Sequence, residues 1–321
     1  AVKIINKAAA QKVSSERLAA MYKEAHYATK LGSSAYSQIT IATQNAVYTY
    51  SDGGEKYGTL NAKGSSLIRF GVYSYISPAG AGGAVLVKDE EGECFVVNSS
   101  GKKLARFTAD IAESKAPSGN LIAVRFQGRE DWCYLNYSGE EMFGGFLNAG
   151  CFNGSSAPVQ VSDGKWSFVN AAGEIGDKRW DEIRLDESGN FLMGSNLFTK
   201  SGDKWTMYYM GDKGQTEVLT CDDIDISRGE AVAYKENGLW GFADKTGNIL
   251  ISPAYEDAHS FSGGVAAVSM DGLWGFINLQ NEIIVEPSYT EAGYFDAAGG
   301  TCPVMVSEDG MWKLLSWTVS R

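Results

Sequence analysis

Hydrophobic residues in this chain alternate with small or polar ones over short runs, and the runs recur between turn residues at nearly even spacing. In Leu239-Trp240-Gly241-Phe242-Ala243-Asp244 the alternation puts Trp240 and Phe242 on one face of a strand. Small Gly241 and Ala243 fall on the other, where backbone can come close. A turn at Lys245-Thr246-Gly247-Asn248 leads into the β-rich run Ile249-Leu250-Ile251, stopped by Pro253, which has no amide to give a ladder. Tyr255 to Phe261 reads as a short irregular strand and Ser262-Gly263-Gly264 as a turn. Val265-Ala266-Ala267-Val268 then leads through Asp271-Gly272 into the next Trp strand. One period therefore holds four short antiparallel strands, the content of a propeller blade.

Anchored on the aromatic or its equivalent, the pattern occurs eight times, at Tyr57, Cys94, Trp132, Trp166, Trp205, Trp240, Trp274 and Trp312, with intervals of 34 to 39 residues. A fixed period of this size marks a repeat architecture. Six of the eight tryptophans hold this position, so Trp132, Trp166, Trp205, Trp240, Trp274 and Trp312 are assigned as structural anchors between blades. Seven residues further on stands Gly64, Gly101, Gly139, Gly173 or Gly247, with Asn281 in a sixth copy, all residue types that accept φ > 0. The anchor strand is thus expected to end in a tight turn. The reading is an all-β propeller of seven or eight blades. A parallel β-helix would have shorter periods, whereas Asp163-Gly164, Asp271-Gly272 and Asp309-Gly310 are hairpin signals. An open superhelix of β meanders is the remaining alternative. The last copy lacks two strands before Arg321, and Gln38 to Ala42 is available to complete its sheet and hide an open edge.

The residues GLWGF at Trp240 and Trp274, followed by a turn, a short apolar run, Pro, Tyr and acidic residues, resemble the WG-repeat family of bacterial proteins. The resemblance is specific over Gly229 to Met311 and degenerate over Asp52 to Arg228, where Cys133 and Ser167 replace the second motif residue, as Lys313 does in the last copy. It is absent before Ser33. It implies a β-repeat protein, often exported or surface-associated, with no established enzymatic activity, and it nominates no ligand.

Residues 1–33 are different material. Ser14 or Ser15 can cap an amphipathic helix with Leu18, Met21, Tyr22 and Ala25 on one face and Gly32 as its stop. The expected organisation is a helix or stem over 1–33 and the propeller over 34–321. Six basic residues against Glu16 and Glu24 give the segment a charge of +4, which leaves −15 on the repeats out of a total of −11. Such a body repels phosphate backbones, so nucleic acid is excluded as a partner. No apolar run of ~18 residues is present, so no transmembrane segment is expected. The chain opens on Ala1 rather than Met, which suggests that an upstream segment was removed. With a signal or anchor there, the basic stretch would be a short stem. Together with the family resemblance this places the protein outside the cell or at its envelope.

No catalytic, cofactor or metal motif emerges. His26 and His259 are the only histidines, and no GxSxG, HExxH, P-loop or dinucleotide fingerprint occurs. His259 is read as a polar residue at a strand end. Asp222, Asp223 and Asp225, and Asp181, Glu182 and Asp186, are read as solvated turn residues rather than a calcium site, because adjacent carboxylates on a strand point to opposite faces. Cys94, Cys133, Cys151, Cys221 and Cys302 show no ligand spacing and are read as small core residues. Aromatics outside the repeat register, Trp180, Tyr208, Tyr209, Tyr294 and Trp317, are the candidate binding residues. The expectation is a non-catalytic binding or scaffold module for a protein or polysaccharide. A glycan-active enzyme and a passive surface protein are the alternatives.

Overall fold

The computed structural model describes residues 26–31, 38–41, 47–51, 57–61 and 66–320, apart from 81–82, 99–101, 187, 212–213, 226–230, 296–300 and 306–311. Among these residues the chain forms eight antiparallel sheets and no helix. Each sheet is one blade, and the count settles at eight. Blade 1 runs Gln38–Ile41, Val47–Ser51, Tyr57–Asn61 and Ser66–Tyr73, and blade 6 runs Asp223–Ile224, Ala231–Glu236, Leu239–Asp244 and Ile249–Tyr255. Blade 4 departs from the pattern: its outer position is held by single bridges, Trp166 to Trp180 and Val169 to Ile175.

The ring closes differently from the sequence expectation. His26–Leu31, assigned above to a helix ending at Gly32, is a strand that pairs antiparallel with Trp312–Ser320 and completes blade 8. Gln38–Ile41 is instead the inner strand of blade 1 and packs against Thr301–Met305 of blade 8. The sheet system therefore begins before residue 34. The physical reason is the edge: Trp312–Ser320 would otherwise expose a full row of unpaired backbone groups, and a partner strand outweighs weak helical periodicity. The helix start at Ser14 lies outside the described residues.

Side chains from the two faces of each blade enter different inter-blade cores. Trp240 and Phe242 pack with Phe261 and Val268 towards blade 7, while Ala243 packs with Phe198 and Met207 towards blade 5, as the alternation requires. Trp132, Trp166, Trp205 and Trp240 are buried, and Trp274 and Trp312 are half-buried. Burying one such ring covers ~150–250 Å², worth up to ~4–6 kcal/mol as an upper bound.

The glycine after the tryptophan has a local cause. A Cβ on Gly241 would stand 2.6 Å from the Ile251 carbonyl oxygen and 2.7 Å from the Pro253 nitrogen; at Gly275 the distances to Val285 O and Pro287 N are 2.7 and 2.8 Å. The close backbone belongs to the bulged outer strand of the same blade, not to a neighbour. Where the motif glycine is missing, space is made on the opposite strand. Cys133 faces Gly144, whose added Cβ would meet the Cys133 Cβ at 2.5 Å. The turn after the anchor strand also follows expectation, with positive φ at Gly139, Gly173, Gly247 and Asn281. The Asn237-Gly238 and Asp271-Gly272 turns have positive φ at both residues, the signature of a type I′ hairpin.

Candidate functional site

The ring has two loop faces. The upper one carries the blade-to-blade connections and the hairpins between second and third strands. The lower one carries the loops that leave the inner strands and the turns between third and fourth strands.

Along the inner edges of the blades, the residue that follows each inner strand forms a ring of equivalent positions: Ser77, Lys115, Gly150, Arg184, Asp225 and His259 in blades 2 to 7. Three of these lie on the anchor tryptophan of their own blade. Lys115 Nζ is 4.9 Å from the Trp132 ring, Arg184 Cζ is 4.2 Å from Trp205, and His259 stacks on Trp274 at 4.9 Å and 19°. Cation–π attraction fixes the first two. Burial holds the Lys115 ammonium below the usual lysine pKa.

A turn from blade 5 reaches over this ring. Asp186 shapes it by accepting the backbone amides of Ser188 and Asn190 at 2.8 and 2.9 Å. The Ser188 hydroxyl donates to Ala79 O of blade 2 at 3.1 Å, and the Ser188 carbonyl accepts the Ala116 amide of blade 3 at 3.0 Å. The Gly189 carbonyl accepts the Cys151 amide of blade 4 at 2.8 Å. One turn thus ties four blades together and covers Lys115.

Across from it, blades 6, 7 and 8 are joined by a second cluster. Asp225 accepts the Ser260 amide at 2.6 Å and the Tyr294 hydroxyl. The His259 ring lies between Trp274 and Tyr294, 4.4 Å from the latter. His259 Nε2 is 3.0 Å from the Ala292 carbonyl, which can only accept, so Nε2 carries the proton. Nδ1 then faces the Asp225 carboxylate at 3.9 Å, beyond hydrogen-bond reach. The cluster clamps blades 6, 7 and 8 together.

The upper face carries a ladder of carboxylates. Asp181 pairs with Lys165 of blade 4 and accepts the Gly202 amide of blade 5 at 2.7 Å. Asp222 pairs with Lys204 of blade 5 and accepts the Asn237 amide of blade 6 at 2.9 Å. Both titrate below the usual aspartate range, chiefly because of the lysine hydrogen bond. Asp223 pairs with Arg184 at 2.6 Å. The acidic groups read as solvated turn residues are therefore largely committed to protein partners, and no metal-binding group of three occurs among the described residues.

The five candidate aromatics are not brought together. Trp180 packs edge-on against Phe168 at 5.7 Å in the core between blades 4 and 5, which Tyr208 also joins. Tyr209 lies under Lys245 Nζ at 5.9 Å near the lower face, and Tyr294 belongs to the clamp. Trp317 pairs through its backbone with Thr29 in blade 8. All five cysteines are buried, and none is in a disulfide. Burial pushes the Cys133, Cys151 and Cys221 thiols up to about 12. Sequence reasoning missed Leu239, Leu273 and Glu256 on the upper face. The signal was available as the residue before each anchor: Asp131, Lys165, Lys204, then Leu239 and Leu273.

Residues 240–274 and 274–312 match the WG containing repeat. No curated protein matches the chain. Among solved structures it is similar to BamB from Moraxella catarrhalis, at 13% identity and a TM-score of 0.51, over 90% of this chain and 98% of that one. It is also similar to Hsv2 from Kluyvelomyces marxianus, at 9% identity and a TM-score of 0.45, over 77% of this chain and 93% of that one. At such identities the likeness to BamB is one of fold.

Proposed function

We propose that this eight-bladed propeller, whose residues 240–312 are WG containing repeats, is a binding module without catalytic chemistry that holds another protein on a loop face, outside the cell or at its envelope. The observation that carries the reading is the use made of the reactive side chains of the inner ring. Asp225, His259 and Tyr294 engage one another across three blades, and Lys115 and Arg184 lie on Trp132 and Trp205. Groups held in this way stiffen the frame, and recognition falls to the loops it displays. A protein is favoured over a polysaccharide because the aromatics that would stack on sugar are dispersed, Trp180 into a core and Tyr294 into the clamp. The location rests on the family resemblance.

Cross-linking in the native cells, followed by identification of the cross-linked residues, tests the module: partner proteins attached through one loop face support it. The alternative is a glycan-active enzyme. Incubation of the purified protein with a panel of glycosides, peptides and esters decides between them, since turnover that is lost in Asp225→Asn or His259→Gln would overturn the binding reading.

A further inference from the structure

Just beyond each anchor tryptophan on the upper face, one residue of the third strand faces one residue at the end of the fourth. In blades 4 and 5 these are Lys165 with Asp181 and Lys204 with Asp222, both ion pairs. Their register sets Trp166 against Trp180 and Trp205 against Cys221. In blade 6 Trp240 faces Tyr255, so the next pair is Leu239 with Glu256; in blade 7 Trp274 faces Tyr289, so it is Leu273 with Thr290. Leucine has replaced the cation twice in succession.

The consequence is an exposed apolar side chain at the same position in two neighbouring blades. Leu239 is 41% and Leu273 37% exposed. Glu256 keeps one half of the ladder, accepting the Gly272 amide at 2.9 Å next to Leu273. It has lost the other half, because the position of its lysine is held by Leu239. Glu236 stands opposite Leu239 in the hairpin, and Asp257 and Asp271 are exposed beside it. Two exposed leucines set among carboxylates repel anionic surfaces and attract a cation that brings apolar area with it.

We propose that the upper face at blades 6 and 7 docks a basic, apolar segment of a partner protein. Its ammonium or guanidinium takes the place beside Glu256 that Lys165 and Lys204 hold in blades 4 and 5, and its apolar side chains cover Leu239 and Leu273. The proposal rests on the binding-module reading and names the surface and the chemistry of the partner.

The probe is a fluorescein-labelled peptide of alternating lysine and leucine, followed by anisotropy. Control peptides carry serine for leucine or glutamate for lysine. The lysine–leucine peptide is expected to bind about tenfold or more tightly than either control, and more weakly as salt rises. Leu239→Lys supplies from within the chain the cation that blades 4 and 5 already have, so it should fold and should weaken binding by about tenfold. Glu256→Gln should weaken binding and flatten its salt dependence. Met142→Lys, at an exposed apolar position on the outer strand of blade 3, should change nothing. Equal affinity in the wild type, Leu239→Lys and Glu256→Gln sinks this surface while leaving a binding module in place. Equal weakening by Met142→Lys reduces the attraction to net charge and also sinks it. A wild-type dimer that Leu239→Lys dissociates would make a second copy the occupant and overturn the partner assigned here. Turnover of the peptide would overturn the binding module itself.

Discussion

Gly144 and Cys133 share one space between the third and outer strands of blade 3, and this makes their energies strongly coupled. A Cβ on Gly144 would stand 2.5 Å from the Cys133 Cβ and 3.0 Å from its Cα. Ordinary contact needs nearly 1 Å more. Overpacking of this kind costs ~1–3 kcal/mol, of which ~0.5–1 is offset by the smaller unfolded-state entropy of alanine. Gly144→Ala should therefore destabilise by ~1–2 kcal/mol. Cys133→Gly deletes a fully buried side chain and should cost a similar ~1–2 kcal/mol through the cavity and backbone freedom. In the double variant the new methyl enters the vacated space, so the two costs should fall short of their sum by ~1–2 kcal/mol. Differential scanning calorimetry reads this as a melting temperature, at about 1.5 °C per kcal/mol for a chain of this length. Each single variant should melt about 2–3 °C lower, and the double variant should melt clearly above the additive value. Additivity to within ~0.5 kcal/mol would refute the shared-space account of the motif glycine. Gly241→Ala should show no such single-site rescue, because its neighbours are the backbone atoms of Ile251, Ser252 and Pro253.

A chain starting at residue 32 lacks the strand that pairs with Trp312–Ser320 and should aggregate or melt lower than one starting at His26; equal stability of the two would deny the closure. Asp181 and Asp222 have depressed folded-state pKa values, so their contribution is complete above the ordinary aspartate value and declines as pH falls through the lower folded one. Melting temperature should accordingly drop between about pH 5 and about pH 3, with a shallower drop in Asp222→Asn; identical slopes would remove the assignment. The five buried thiols should be silent towards a thiol reagent at mildly alkaline pH and all react on unfolding, and fast labelling of Cys133 or Cys151 in the native protein would contradict their burial.

What the sequence determined by itself is what depends on neighbours along the chain. Two-residue alternation decides which face of Leu239–Asp244 is bulky, and residues able to take φ > 0 at Gly247, Asn281 or Asp271-Gly272 decide where strands end. Repetition of these local rules was enough to read a propeller. The tertiary structure decided everything that turns on contacts between distant segments. His26–Leu31 and Gln38–Ile41 both lie near the start of the chain, yet only the first meets the edge left at Trp312–Ser320, nearly the whole chain away. Asp225, His259 and Tyr294 carry no shared motif, and only the angle between successive blades brings them into one clamp. The same holds for Leu239 and Glu256: each looks ordinary alone, and their meaning comes from register with Lys204 and Asp222 one blade earlier. Local stereochemistry acts over a few residues and can be read in order. The register between strands and the closure of a ring are set by burying edges and faces whose partners the chain order does not name.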